Sequence, residues 1–230
     1  MNSRRRNRLL VVGIMLAALL GCASEQITGK PFVIREAKLP QGFPLPGPVG
    51  EVVIKDYPAY RLAQVSADRE GETKGQEGMF MPLFNHIKRG KIPMTAPVEM
   101  GYPEQTGKTD NVRLATDHMR AAETMAFLYG ESTWGQLGKD PDDRRVHVKD
   151  VSPMTVLSIA VRGRYNDAKF AEALGALREW VKANPNRVEV VGPPRYLCYN
   201  SPFMLWFLRY AEVQLPIKRL GQATELVDAG

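Results

Sequence analysis

The chain has 230 residues, 44% apolar and 24% charged, a composition that excludes low-complexity and collagen-like chains and suits one large domain or two small ones. Its formal net charge of +6 overstates how basic the folded part is, because Arg4, Arg5, Arg6 and Arg8 all precede an N-terminal apolar run. Without those four, 27 basic residues face 25 acidic ones, too even a balance to argue for a nucleic-acid surface, so no nucleic acid is expected as a partner.

The apolar run from Leu9 to Leu20 carries no charge. It has the length of a signal-peptide core and is too short to span a bilayer comfortably. It closes on Leu19-Leu20-Gly21-Cys22, which resembles a bacterial lipobox, in which Cys22 becomes the acylated first residue of the mature chain. Residues 1–21 are therefore read as a lipoprotein signal peptide. The expected location is the cell envelope, membrane-anchored through lipidated Cys22 on the periplasmic or extracytoplasmic face. Only Cys198 then remains as a thiol, so no internal disulfide is expected, and its apolar setting in "RYLCYN" reads as buried packing. Residues 22–50 are rich in proline and glycine without a sustained period, which predicts a tether.

From Glu51 two stretches look like copies of one unit: "VVIKDYPAYRLAQV" (52–65) and "VHVKDVSPMTVLSIAV" (146–161). Each is followed by a helical pattern. In the first, Phe80, Leu83, Phe84 and Ile87 recur at helical spacing, with Pro82 acceptable if the helix begins near Gly78 or Met79. In the second, Asn166 or Asp167 can cap a helix with an apolar stripe of Phe170, Leu174, Leu177 and Val181, ended by Asn184-Pro185. Strand-like runs follow each helix: "KIPMTAPVEM", "NVRLAT" and "AETMAFLYG", then "RVEVVG", "PRYLCYN" and "AEVQLPI". The order predicts one α+β domain over 51–217, with repeats of about 51–130 and 144–217 whose two helices cover a mostly antiparallel sheet, and a tail over 218–230. Pro93 and Pro97 suit "KIPMTAPVEM" to an edge or rim strand, since proline cannot donate to a ladder.

No nucleophile elbow, zinc-binding HExxH or paired-cysteine motif occurs. "GYPEQTGKT" ends like a phosphate loop, but Gly101 is one residue too far upstream and no helix pattern opens after Thr109. His147 alternates with Val146 and Val148 and should face solvent, and His118 falls in a loop candidate. His86 borders the first helix's apolar stripe, as a boundary residue or a ligand. No acid–base pair can be assembled from spacing, so an enzyme is not expected. Met79, Met81, Met94 and Met100 cluster around the first helix, where they fill core or line an apolar cleft.

"GMFMPLFNHIKRGKIPMTAPVEM" resembles the SOUL haem-binding protein family, whose signature is F-x-x-L-x-x-Y-I followed by K-I-x-M-T-x-P-V. Phe80, Leu83, His86 and Ile87, then Lys91, Ile92, Met94, Thr95, Pro97 and Val98, carry it here. Tyr199, Asn200, Pro202, Arg209, Glu212, Val213 and Leu215 resemble the family's C-terminal signature. The resemblance implies a distorted antiparallel β-barrel or sheet built from two pseudo-symmetric βα repeats. It also implies haem or a related tetrapyrrole, non-covalently bound in a shallow apolar site near the first helix. The implied lining is Met79, Phe80, Leu83, Phe84, His86, Ile87, Met94 and Met204. His86 stands at the signature tyrosine and is the candidate axial ligand, whereas the R-H-Y of some members is Lys55-Asp56-Tyr57 here. The same architecture resembles GyrI-like effector-binding domains, so the alternative is a binding module for another hydrophobic small molecule.

Overall fold

The last long strand shows how the sequence divides the molecule. In β10, Tyr210–Arg219, the residues Ala211, Val213, Leu215 and Ile217 alternate with Tyr210, Glu212 and Gln214, so the small and aliphatic side chains take one face of the sheet and the polar ones the other. All seven are buried. Both faces of this strand are therefore covered, one by helices and the other by an N-terminal strap.

The computed structural model describes residues 33–67, 75–103 and 122–221. The segment Pro31–Gly230 is one compact unit. The ten strands among the described residues form one antiparallel sheet. The first half supplies β1 (Val52–Tyr57), β2 (Tyr60–Ser66), α1 (Gly75–Arg89), β3 (Val98–Gly101) and β4 (Thr124–Leu128). After the two-residue β5 (Gly138–Lys139) come β6 (His147–Val151), β7 (Met154–Arg162), α2 (Asp167–Ala183), β8 (Val188–Val190), β9 (Arg195–Cys198) and β10. The strand order is β1-β7-β10-β9-β3-β4-β2-β6-β5, with β8 paired to β10 off this path. β1 and β5 end the sheet without pairing to each other, so the expected barrel is not closed. A barrel has a single interior, whereas this sheet has two separately covered faces.

On the helix face, Ala63, Val65, Met100, Met125, Phe127, Leu157, Ile159, Tyr196 and Val213 form the main core. The helix α1 packs on β2 and β4, and α2 on β7 and β10. α2 is capped by Asn166, whose side chain accepts a hydrogen bond from the backbone N–H of Lys169 (2.9 Å). Phe170, Leu174 and Leu177 bury its stripe as expected, with Val181 at the margin. α1 starts earlier than its sequence suggests, at Gly75, which leaves Pro82 inside the helix. At its end the Ile92 N–H reaches back to the Ile87 carbonyl, with Lys91 in the left-handed region (φ 51°).

Two readings of "KIPMTAPVEM" change. Only Val98–Gly101 is a strand, and it is central, between β9 and β4. Pro93 and Pro97 precede it, so the missing donors fall outside the ladder; the Ala96–Pro97 peptide is cis. "NVRLAT" and His118 lie outside the described residues, as do the signal segment and Cys22.

The tether is the larger change, because its described part, 33–50, packs on the second face of the sheet. Phe43 inserts edge-on against Tyr57 and Tyr60 (centroids 4.9 and 5.1 Å). Val33 and Leu39 pack on the cluster of Tyr57, Val156, Leu197 and Tyr210. Lys38 bridges Thr95, and the Gln41 N–H reaches the Gly130 carbonyl. At the centre, the Gly47 N–H donates to Glu212 (2.6 Å), and Lys55 Nζ bonds both Glu212 (2.5 Å) and the Leu45 carbonyl (2.9 Å). The strap meets the sheet through isolated bridges, Lys38 with Thr95 and Val49 with Ala160, rather than a continuous ladder, to which its prolines could not donate. A chain starting at Glu51 is expected to be less stable than one starting at Pro31 by at least about 3 kcal/mol, since it uncovers a buried ion pair and an aromatic slot. Urea unfolding of the two chains measures this, and equal midpoints would show that the strap contributes nothing.

Candidate functional site

The two sides of α1 have different fates. Met79, Leu83 and Ile87, spaced four apart, are 1%, 0% and 5% exposed. They are sealed in the core and back the candidate site without reaching its surface. Phe80 and Phe84 stack on each other with rings 5.8 Å apart and near-parallel, and Phe80 meets Phe127 of β4 edge-on. Phe84 is 37% exposed, Met81 46% and Met94, in the loop after the helix, 43%. The outer side of α1 is thus an apolar ledge. Met204 is elsewhere, in the β9–β10 loop, whose neighbours are the strap and the turn between β7 and α2.

His86 points to the end of the helix away from the stacked rings. Its Nε2 lies 2.6 Å from the Tyr129 hydroxyl, and its Nδ1 is bonded to Asp140. Asp140 also accepts from Arg89 (2.7 Å) and from the backbone N–H of Asp142 (2.8 Å). Burial would raise the Asp140 carboxyl, but the bonds from His86, Asp142 and Arg89 outweigh it and hold the group below the usual carboxylate range. Burial, opposed by Arg61, pushes the Tyr129 hydroxyl up to about 12, so it stays protonated. Both imidazole nitrogens are therefore engaged, and His86 would have to give up one bond to coordinate a metal. Among the described residues no group of three or more His, Cys, Asp or Glu side chains is arranged to hold a metal ion. His147 is exposed on β6, and Cys198 is buried, with its thiol pushed up by desolvation.

Sequence spacing missed Tyr129 and Asp140, which stand 43 and 54 residues from His86. It also missed the polar network beneath the strap. Glu212 and Gln214 are fully buried there, and Ser158 nearly so. Ser158, Tyr199 and Gln214 all donate to Glu212. Arg195 bonds Gln214, Tyr60 and Glu99, and its guanidinium lies 5.0 Å from the Tyr57 ring. The signals were the alternation of polar residues along β10, which in isolation reads as a solvated face, and the place of Tyr199 and Glu212 in the C-terminal signature, which says nothing of their burial.

A family model described as SOUL heme-binding protein matches residues 49–216. The chain belongs to this family. No curated protein matches it. Among solved structures, the C-terminal domain of EcmrR is similar with a TM-score of 0.50 at 12% identity, covering 74% of this chain and 98% of that one. An uncharacterized conserved protein from Listeria innocua is similar to the same degree, with 94% of its own length covered. EcmrR in its DNA complex gives a TM-score of 0.52 at 11% identity over 74% of this chain, which spans only 58% of the EcmrR chain. At these identities the likeness is one of fold: this SOUL chain shares the α+β sheet of those domains.

Because Asp140 is held below its ordinary value, its contribution to stability is complete above about pH 4 and disappears as pH falls through the lowered value. Asp140→Asn is expected to cost about 1.5–3 kcal/mol at pH 7, the worth of hydrogen bonds to a charged group. Urea midpoints at pH 7 and in strong acid should show that the gap between variant and native chain closes in acid.

Proposed function

We propose that this SOUL protein is a cell-envelope lipoprotein, anchored through Cys22, that holds haem or a related tetrapyrrole by apolar contact on the outer side of α1. The family membership carries the ligand class, and the stacked Phe80–Phe84 pair beside exposed Met81 supports the location. A flat aromatic ledge suits a flat macrocycle, and Met94 offers adaptable contact beside it. Lys88 and Arg89 at the helix end suit the carboxylates of such a ligand, although Arg89 is shared with Asp140 and Asp142. The residues thus fit a tetrapyrrole held by its face. They offer no unengaged axial nitrogen at His86, so the reading rests on the ledge. Bound haem would bring its own iron chemistry; this chain's part is to hold the ring and shield one face.

The alternative is another hydrophobic small molecule on the same ledge, which the engagement of both His86 nitrogens favours over iron-dependent binding. The reading includes two pseudo-symmetric βα repeats, about 51–130 and 144–217: β1-β7-β10-β9 and β6-β2-β4-β3 run toward the same central β9–β3 pair, with β1 and β6 each lying beside the strands of the other repeat.

Titration of the segment 31–230 with haem and with metal-free protoporphyrin tests the ligand. Similar saturable binding of both is expected, retained in His86→Ala and weakened about tenfold in Phe84→Ser. Binding of haem alone, lost in His86→Ala, would replace the ledge with axial ligation; binding of neither would leave the alternative. Separately, Cys22→Ser is expected to abolish palmitate labelling and move the protein from the membrane to the soluble fraction.

A further inference from the structure

The loop between β9 and β10 carries the largest apolar exposure among the described residues. Phe203 is 94% exposed, Leu205 59%, Trp206 52% and Phe207 50%, all within five positions. The backbone of this loop is held by arginine side chains from its base. Arg209 donates to the Pro202 and Met204 carbonyls (2.5 and 2.9 Å), and Arg162 to the Leu208 carbonyl (3.4 Å). The Met204 N–H reaches the Ser201 carbonyl, and a short 3-10 turn spans Trp206–Leu208. The loop is pinned from inside by cations while its apolar side chains face outward. An exposed patch of this kind marks an interaction surface.

Two observations say what covers it. The first is charge: Arg164 is exposed with its guanidinium 5.6 Å from the Trp206 ring, Arg35 is exposed nearby on the strap, and Arg162 and Arg209 lie at the loop's base. The carboxylate closest by bonding, Glu36, accepts from both the N–H and the hydroxyl of Ser201. The second is where the chain leaves the domain. Asn200 donates to the Ile34 carbonyl (2.7 Å), so the N-terminal end of the strap sits against the base of this loop. Cys22 is eleven residues before Val33, a reach of at most about 40 Å. A domain held through Cys22 would therefore keep the base of this loop within reach of the bilayer, on the tethered side of the domain.

We propose that Pro202–Leu208 inserts its aromatic side chains into the interface of an anionic phospholipid bilayer, with Arg164 and Arg35 at the headgroups. Tryptophan and phenylalanine flanked by arginine are the side chains that partition to that depth. The contact would orient the domain on its membrane. It goes beyond anchoring by Cys22 and is tested without that residue.

The test uses the compact segment 31–230, which contains the whole sheet, both helices and none of the N-terminal apolar run. It is expected to float with phosphatidylcholine–phosphatidylglycerol vesicles at low ionic strength, with Trp206 fluorescence blue-shifted and quenched by brominated lipid. Trp206→Phe identifies the reporter against Trp134 and Trp180. The triple change Phe203→Ser, Leu205→Ser, Phe207→Ser should reduce vesicle binding about tenfold or more, with an unchanged urea midpoint because these side chains are exposed. Arg164→Glu should weaken binding to anionic vesicles selectively. No binding by the native segment, or binding unaffected by the triple change, overturns the proposal. So does a concentration-dependent dimer abolished by the triple change without any vesicle binding, which would assign the patch to a second copy of the chain. Cys22→Ser fractionation reports on the anchor alone, so the two ideas fail separately.

Discussion

The ion pair between Lys55 and Glu212 is the constraint around which the second face of the sheet is organised. Glu212 is fully buried and Lys55 nearly so. Withdrawing two such charges from water costs several kcal/mol each, and their attraction repays this only when the remaining polar atoms are also satisfied. Glu212 meets that demand with the Gly47 N–H, Ser158, Tyr199 and Gln214, and Lys55 with the Leu45 carbonyl. Those partners come from the strap, β7, the end of β9 and β10. Each of these elements supplies part of what the buried pair needs, so the strap is packed as part of the domain. Burial, reinforced by Glu212, pushes the Tyr57 hydroxyl upward, which keeps it a neutral donor and acceptor within the same network.

Covering that face moves the accessible apolar surface elsewhere. With the helix face filled by the main core and the opposite face covered by the strap, the exposed aromatic side chains among the described residues gather on the outer side of α1 and in the β9–β10 loop. The first offers stacked aromatic rings on a helix whose histidine is engaged elsewhere. The second offers aromatic side chains beside arginines. The two surfaces are thus chemically distinct, one suited to a flat ligand and the other to a charged, layered partner. The His86–Asp140–Arg89 cluster fastens the end of α1 to the β5 region, so the ledge is carried on a helix fixed at its C-terminal end.

Much of this architecture was legible in residue order. The stripes Phe170, Leu174, Leu177, Val181 and Phe80, Leu83, Phe84, Ile87 named both helices, because a 3.6-residue period survives in sequence without knowledge of what the helix packs on. That Met79 joins Leu83 and Ile87 in the core while Phe84 stays 37% exposed came only from the fold. The signature residues around Lys91 to Val98 identified the family. The strap was not legible: proline and glycine read as a free segment because their packing depends on Tyr57 and Tyr60, which only the fold sets opposite Phe43. The extent of the "KIPMTAPVEM" strand also escaped, since apolar content does not tell which residues find ladder partners. At the site, periodicity could place Phe80 and Phe84 together, but not Tyr129 and Asp140 on the two nitrogens of His86.

What the sequence determined by itself is local: the two helices, the alternating strands, the absence of a catalytic motif and the family signature. Each of these depends on residues within a few positions of one another, where backbone geometry alone sets the relation. Tertiary structure alone decided that the polar face of β10 is interior, that His86 is held from both sides, and that Phe203 to Phe207 stay in solvent. Burial is a property of what comes to lie opposite a residue, and here those neighbours are often more than a hundred positions away, as Lys55 and Glu212 are at a separation of 157.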